Sequence, residues 1–169
     1  MKHRTQVALL LLFLLTTVVA LPVIPTAEAA GADWAAEIQA MDAALARGDA
    51  ATAQAAWREA YAAAHVGREW PGMVAVGDAA LRLGRATDTG AVAESRARRV
   101  YLTALFRARR YGSLDGVLAA GEAFGRLGDR EVVQQALAMA TEMARRSGDD
   151  LAQRRVQAFR IQWLARPLT

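Results

Sequence analysis

The chain has 169 residues and no cysteine. Disulfides, thiolate chemistry, covalent haem attachment and acylation of a leading cysteine are excluded together. Histidine is almost as scarce. His3 lies at the very start and His65 stands alone, so no His-rich metal site can be assembled. Lysine occurs once, as Lys2, and all other basic charge is arginine. The three serines, Ser95, Ser113 and Ser147, are set beside His65 by no motif. Gly-rich phosphate loops, H-E-x-x-H and nucleophile elbows are missing as well. The sequence therefore presents no active site, and it implies neither a cofactor nor a metal; a non-enzymatic role is expected.

Long apolar runs are missing too, except for one. Val7 to Leu21 is apolar or Thr throughout, preceded by Lys2, His3 and Arg4 and followed by Pro22 and Pro25. Ala27-Glu28-Ala29 then places small residues at −3 and −1. This is the pattern of a Sec-type signal peptide over residues 1–29, cleaved after Ala29, which predicts a periplasmic or secreted protein. The alternative is an uncleaved N-terminal membrane anchor. A membrane span needs roughly 20 apolar residues, and this run is shorter and is closed by proline. Residues 30–169 are left as a single domain that must be held by core packing alone.

Strand signals are sparse after the leader, and apolar residues recur with helical spacing. Asp33 reads as an N-cap for a first helix from Trp34 to Arg47, with Trp34, Ile38, Met41 and Leu45 on one face. Gly48-Asp49 stops it and caps a second helix, Ala50 to about His65, whose inner face carries Ala53, Trp57, Ala60 and Tyr61. A third helix starts at Pro71 and stops at Gly84, with Thr87 or Asp88 capping a fourth over Ala91–Tyr111. Ser113 caps a fifth to Leu127, Gly128-Asp129 introduces a sixth over Arg130–Arg146, and Gly148-Asp149 introduces a seventh to about Arg166. Val156, Phe159 and Trp163 of that last helix share a face suited to docking on the preceding pair. Trp70, just ahead of Pro71, reads as a staple against the first turn of the third helix. The expectation is an all-α fold of stacked antiparallel hairpins with a C-terminal capping helix.

One octet recurs three times: Met41–Gly48, Gly77–Gly84 and Gly121–Gly128. In each an acid is followed by Ala and a glycine closes the stretch. The spacings are 36 and 44 residues, within the range of helical repeat architectures. These octets resemble the tetratricopeptide repeat over about Trp34 to Arg146. In the third copy Gly121 takes the small first-helix position, Phe124 the aromatic and Gly128 the turn, and Val133, Leu137 and Ala140 take the second-helix roles. In the first copy Gly48, Ala53, Trp57 and Ala60 fit, while Met41 and Ala44 depart from the pattern. In the second, Gly77, Ala80 and Gly84 fit. The resemblance implies three stacked repeats and a scaffold or adaptor that holds a protein or peptide in its concave groove. Under it, Asp42, Asp78 and Glu122, with Arg82 and Arg126, would face that groove and bind the partner.

The same charges also read as ordinary i,i+4 helix pairs, Asp78–Arg82 and Glu122–Arg126. A second charged surface lies on the fourth helix, where Arg96, Arg99, Arg107 and Arg110 form a basic stripe roughly 20 Å long. The net charge of +4 and the basic stripe suit an anionic membrane surface or an acidic protein. Export disfavours a nucleic-acid partner. A different class of function is a helical bundle holding a small apolar ligand or lipid; its mark would be a deep apolar pocket lined by Trp34, Trp57, Trp70 and Trp163.

Overall fold

The computed structural model describes residues 27–165. The expected leader falls outside them up to Thr26, as does the end of the chain from Arg166. The described residues form seven α-helices and no strand: α1 Ala27–Ala46, α2 Ala50–Val66, α3 Trp70–Ala86, α4 Gly90–Arg110, α5 Leu114–Arg126, α6 Arg130–Ser147 and α7 Asp150–Leu164. Each helix packs against the next. In addition α1 touches α3, α3 touches α5 and α5 touches α7. The odd-numbered helices thus form one layer and the even-numbered helices α2, α4 and α6 another.

The turns follow the expected chemistry at most junctions. Gly48 and Gly128 adopt positive φ, 74° and 77°, which a glycine reaches without strain. The Asp49 carboxylate accepts from the Thr52 amide at 3.0 Å, the Ser113 hydroxyl from Gly116 at 3.1 Å and the Asp149 carboxylate from Leu151 at 2.8 Å. Each satisfies an amide that the first turn leaves unpaired.

Four junctions differ from expectation. Neither Thr87 nor Asp88 caps α4: Thr89 stands at its N-cap without a side-chain bond, and Thr87 closes α3. The first helix begins at Ala27 rather than after an Asp33 cap. The alanine-rich stretch past Pro25 has high helix propensity and meets no further proline. The expected cleavage point after Ala29 therefore falls inside the first turn of α1. Gly84 does not stop α3, which continues to Ala86; a Cβ there would collide with Ala93, so this glycine serves the close approach of α4. Asp129 does not cap α6 with its side chain and instead accepts from Arg98 Nε at 2.8 Å.

Among the described residues alanine is the commonest buried one and no charged or polar side chain is buried, so helices approach closely and dispersion contacts hold the body. Helix α4 runs through the whole core. Val100 and Ala104 join α1–α3, Leu105 and Ala108 join α5–α7, and Ala97 and Tyr101 meet Phe124, Val133 and Phe159. Trp70 is more than a local staple. It packs against both of the first two clusters, and a Cβ on Gly116 of α5 would lie 2.7 Å from its ring. Val156 and Phe159 bury α7 against α5 and α6 as their spacing predicts.

Candidate functional site

The octet acids do not pair within their own helices. Arg82 reaches back from α3 to Asp42 of α1, with Nε 3.0 Å from Oδ1 and Nη2 3.1 Å from Oδ2. Arg126 reaches back from α5 to Asp78 of α3, Nη2 to Oδ1 at 2.6 Å. The pairing is a ladder between successive odd helices, one hairpin apart. The i,i+4 pairs suggested by the sequence do not form, because the layered packing brings the neighbouring acid nearer in the geometry the guanidinium fork prefers. Glu122 ends the ladder, half-buried, and its carboxylate has no ion pair among the described residues. The rungs are partly exposed, with Arg82 and Asp42 at 36% and 45% and Arg126 and Asp78 at 46% and 37%. Each contributes at most about 1 kcal/mol.

Asp78 carries a second contact. The Tyr101 hydroxyl donates to the same Oδ1 at 2.6 Å, while the ring is fully buried and meets Phe124 edge-on at 5.8 Å. Burial first, then the hydrogen bond and charge of Asp78, push the Tyr101 phenol well above its ordinary 10.0. Burial weighs against the Arg126 charge, but the charge and hydrogen bond of Asp78, with the Tyr101 hydroxyl, together hold the guanidinium above its ordinary value.

Beside this ladder lies a groove of about 520 Å³, lined by Asp78, Leu81, Arg82, Arg85, Glu94, Arg126 and Leu127 among others. It unites the acid–arginine rung with two leucines. Glu94 pairs with Arg98 at 3.3 Å. Arg85 is exposed, and no hydrogen bond or ion pair engages its side chain among the described residues. Asp42 and Glu122 do not line the groove, so only Asp78, Arg82 and Arg126 of the expected set converge on it. Arg85, in the last turn of α3, belongs to no repeated position and was not legible as a groove residue.

The stripe on α4 is divided by the fold. Arg107 is internal hardware of the α2–α3 connection. Its guanidinium donates to the carbonyls of Ala64 and His65 at 2.8 Å, and to those of Gly67 and Glu69, closing the orphan carbonyls at the end of α2. Arg96 lies over the Trp57 ring, 4.6 Å from its centroid. Arg99 and Arg110 remain exposed. The expected stripe therefore loses two of its four members to packing.

The tryptophans are structural. Trp57 is buried and its Nε1 donates to the Val76 carbonyl at 3.0 Å. Three further clefts lie between α6 and α7, at the α4–α5 junction with α6 and α7, and between α2, α3 and α4. None of the four is lined by tryptophan, so the feature expected of a bundle holding an apolar ligand is not found in them. Among the described residues no three His, Asp or Glu side chains are grouped to hold a metal, and no helix is long and apolar enough to cross a membrane. Compared with protein-family models, curated proteins and solved structures, the chain matches none of them.

Proposed function

We propose that this chain is an exported, non-enzymatic scaffold of tetratricopeptide type. The hairpins α1–α2, α3–α4 and α5–α6 act as its repeats and α7 covers the open end of the stack. The packing of each odd helix on the next is the arrangement such a stack requires. The observation that carries the binding role is the groove over Leu81 and Leu127, with exposed Arg85 at its edge. A short extended peptide would lay apolar side chains on the two leucines and set an acidic group against Arg85. The ladder arginines hold the groove's shape rather than meet the ligand, because their charges are already paired. Only a cation with no internal partner can offer its full charge to an incoming carboxylate.

The test is selection of a displayed peptide library on the immobilised protein, followed by binding measurements with Arg85→Glu. Selected peptides should be acidic and should bind the variant at least tenfold more weakly, with an unchanged thermal melt, because an exposed, unpaired charge contributes little to stability. Peptides that bind both proteins equally would remove the groove from consideration.

A further inference from the structure

We propose that the outer face of α4 docks this protein onto an anionic membrane surface. At 100° per residue Arg99, Leu102, Phe106, Arg109 and Arg110 fall within roughly a third of the helix circumference. The three arginines are exposed. Between them Phe106 is 57% exposed and Leu102 37%, and Tyr111 just beyond the helix is 54% exposed. Large apolar side chains standing in water among cations are the composition of an interfacial helix face.

The charge on this face is uncompensated. From Ser95 to Leu114 the sequence holds six arginines and no acid. The acids that bound this stretch are engaged elsewhere: Glu94 with Arg98, which stands at the margin of this face and also pairs with Asp129, and Asp115 with Arg155 of α7. Neighbouring elements bring Asp129 onto Arg98 and Asp78 onto the Tyr101 hydroxyl, and the Glu69 carbonyl meets Arg107; exposed Arg68 stands next to Glu69 in the chain. Arg99 reaches only the Ser95 hydroxyl at 3.1 Å, and Arg110 lies over the Tyr111 ring at 5.9 Å. No carboxylate touches either.

The occupant follows from shape and charge. None of the four clefts reaches Leu102, Phe106 or the three arginines, so none of them gives this face a socket for a partner's side chain. A fluid interface needs none: Phe106 and Leu102 would enter the headgroup boundary while the arginine stems lie along it and their heads meet phosphate. A second copy of the chain would bring its own arginines against these, and like charges at close quarters oppose that pairing.

The absence of cysteine permits a local probe. In the full chain, Leu102→Cys carries the only thiol and can be labelled with an environment-sensitive dye. Vesicles of phosphatidylcholine with one quarter phosphatidylglycerol should brighten and blue-shift the dye; vesicles of phosphatidylcholine alone should not. Replacing Arg99, Arg109 and Arg110 together by Gln should lower partitioning on the order of a hundredfold, about fivefold for each arginine at an anionic surface, and 0.5 M salt should do likewise. The melt of that triple variant should match the parent, which separates lost docking from lost folding. A dye that stays silent on anionic vesicles, or responds equally on neutral ones, would overturn the proposal. A response to polyglutamate without one to vesicles would give the face to an acidic protein and likewise overturn it. The groove beside Arg85 takes no part in either outcome.

Discussion

Replacing Gly77 by alanine is the sharpest test of how these helices meet. A Cβ at Gly77 would lie 2.6 Å from Cδ1 of Tyr101 and 3.0 Å from its Cζ, so the ring must move by a sizeable fraction of an ångström. It has little room. The ring is fully buried, its hydroxyl is tied to Asp78 at 2.6 Å, and Phe124 stands against it. Overpacking of this kind costs about 1–3 kcal/mol. Against it stands the gain of about 1 kcal/mol that alanine brings over glycine inside a helix. The clash at Gly77 is severe and takes the upper part of that range, about 2–3 kcal/mol, so a net loss of about 1–2 kcal/mol is expected. For a chain of this size that lowers the melting temperature by roughly 2–8 °C. Gly121 is the internal comparison: its Cβ would meet Phe159 at 3.1 Å and Ala136 at 3.2 Å, a milder contact. Gly121→Ala should be nearly neutral, whereas Gly121→Leu should cost about 1–3 kcal/mol. The decisive measurement is a urea-unfolding cycle with Tyr101→Ala. Once the ring is gone, Gly77→Ala should change sign and stabilise by about 1 kcal/mol. A Gly77→Ala protein as stable as the parent, or a cycle with no coupling, would refute the close-approach argument.

Arg107→Gln should cost about 1–2 kcal/mol in urea midpoint analysis, because charge-assisted bonds to the end of α2 are lost, while Arg99→Gln should cost nothing measurable. Because the Tyr101 phenol is held above its ordinary 10.0 in the folded state, the unfolded chain ionises first. The stability this provides is complete below about pH 10 and is lost as pH rises beyond it; Tyr101→Phe should flatten that alkaline decline in a pH series of unfolding curves. Breaking the ladder with Arg82→Gln or Arg126→Gln should lower stability by no more than about 1 kcal/mol each, and Arg126→Gln should push the Tyr101 phenol further up, because a cation that lowers it is removed. N-terminal sequencing of the exported protein should begin at Ala30; Met1 on a membrane-bound product would instead make this an anchored protein.

The sequence by itself determined the helices. Period-3.6 apolar spacing, Gly-Asp punctuation and the Ser113 cap are local signals, and local physics places every helix but the first, which starts seven residues early at Ala27, within a few residues of where these signals put it. It also determined which faces are buried: Ala53, Trp57 and Ala60 on α2, and Val156 and Phe159 on α7. The small positions that the resemblance gives to Gly77 and Gly121 are ones where a neighbouring helix comes close. Only the tertiary structure decided what the charges do. An arginine four residues from an acid reads as a helix pair, because sequence spacing carries no information about the next hairpin; packing then set Arg82 on Asp42 and Arg126 on Asp78. The same applies to α4, where a uniform run of arginine was sorted into a helix cap, a cation over Trp57 and an exposed basic face. That sorting depends on which backbone carbonyls and rings the neighbouring helices bring within reach of a long, flexible side chain. Those distances exist only once the layers are assembled.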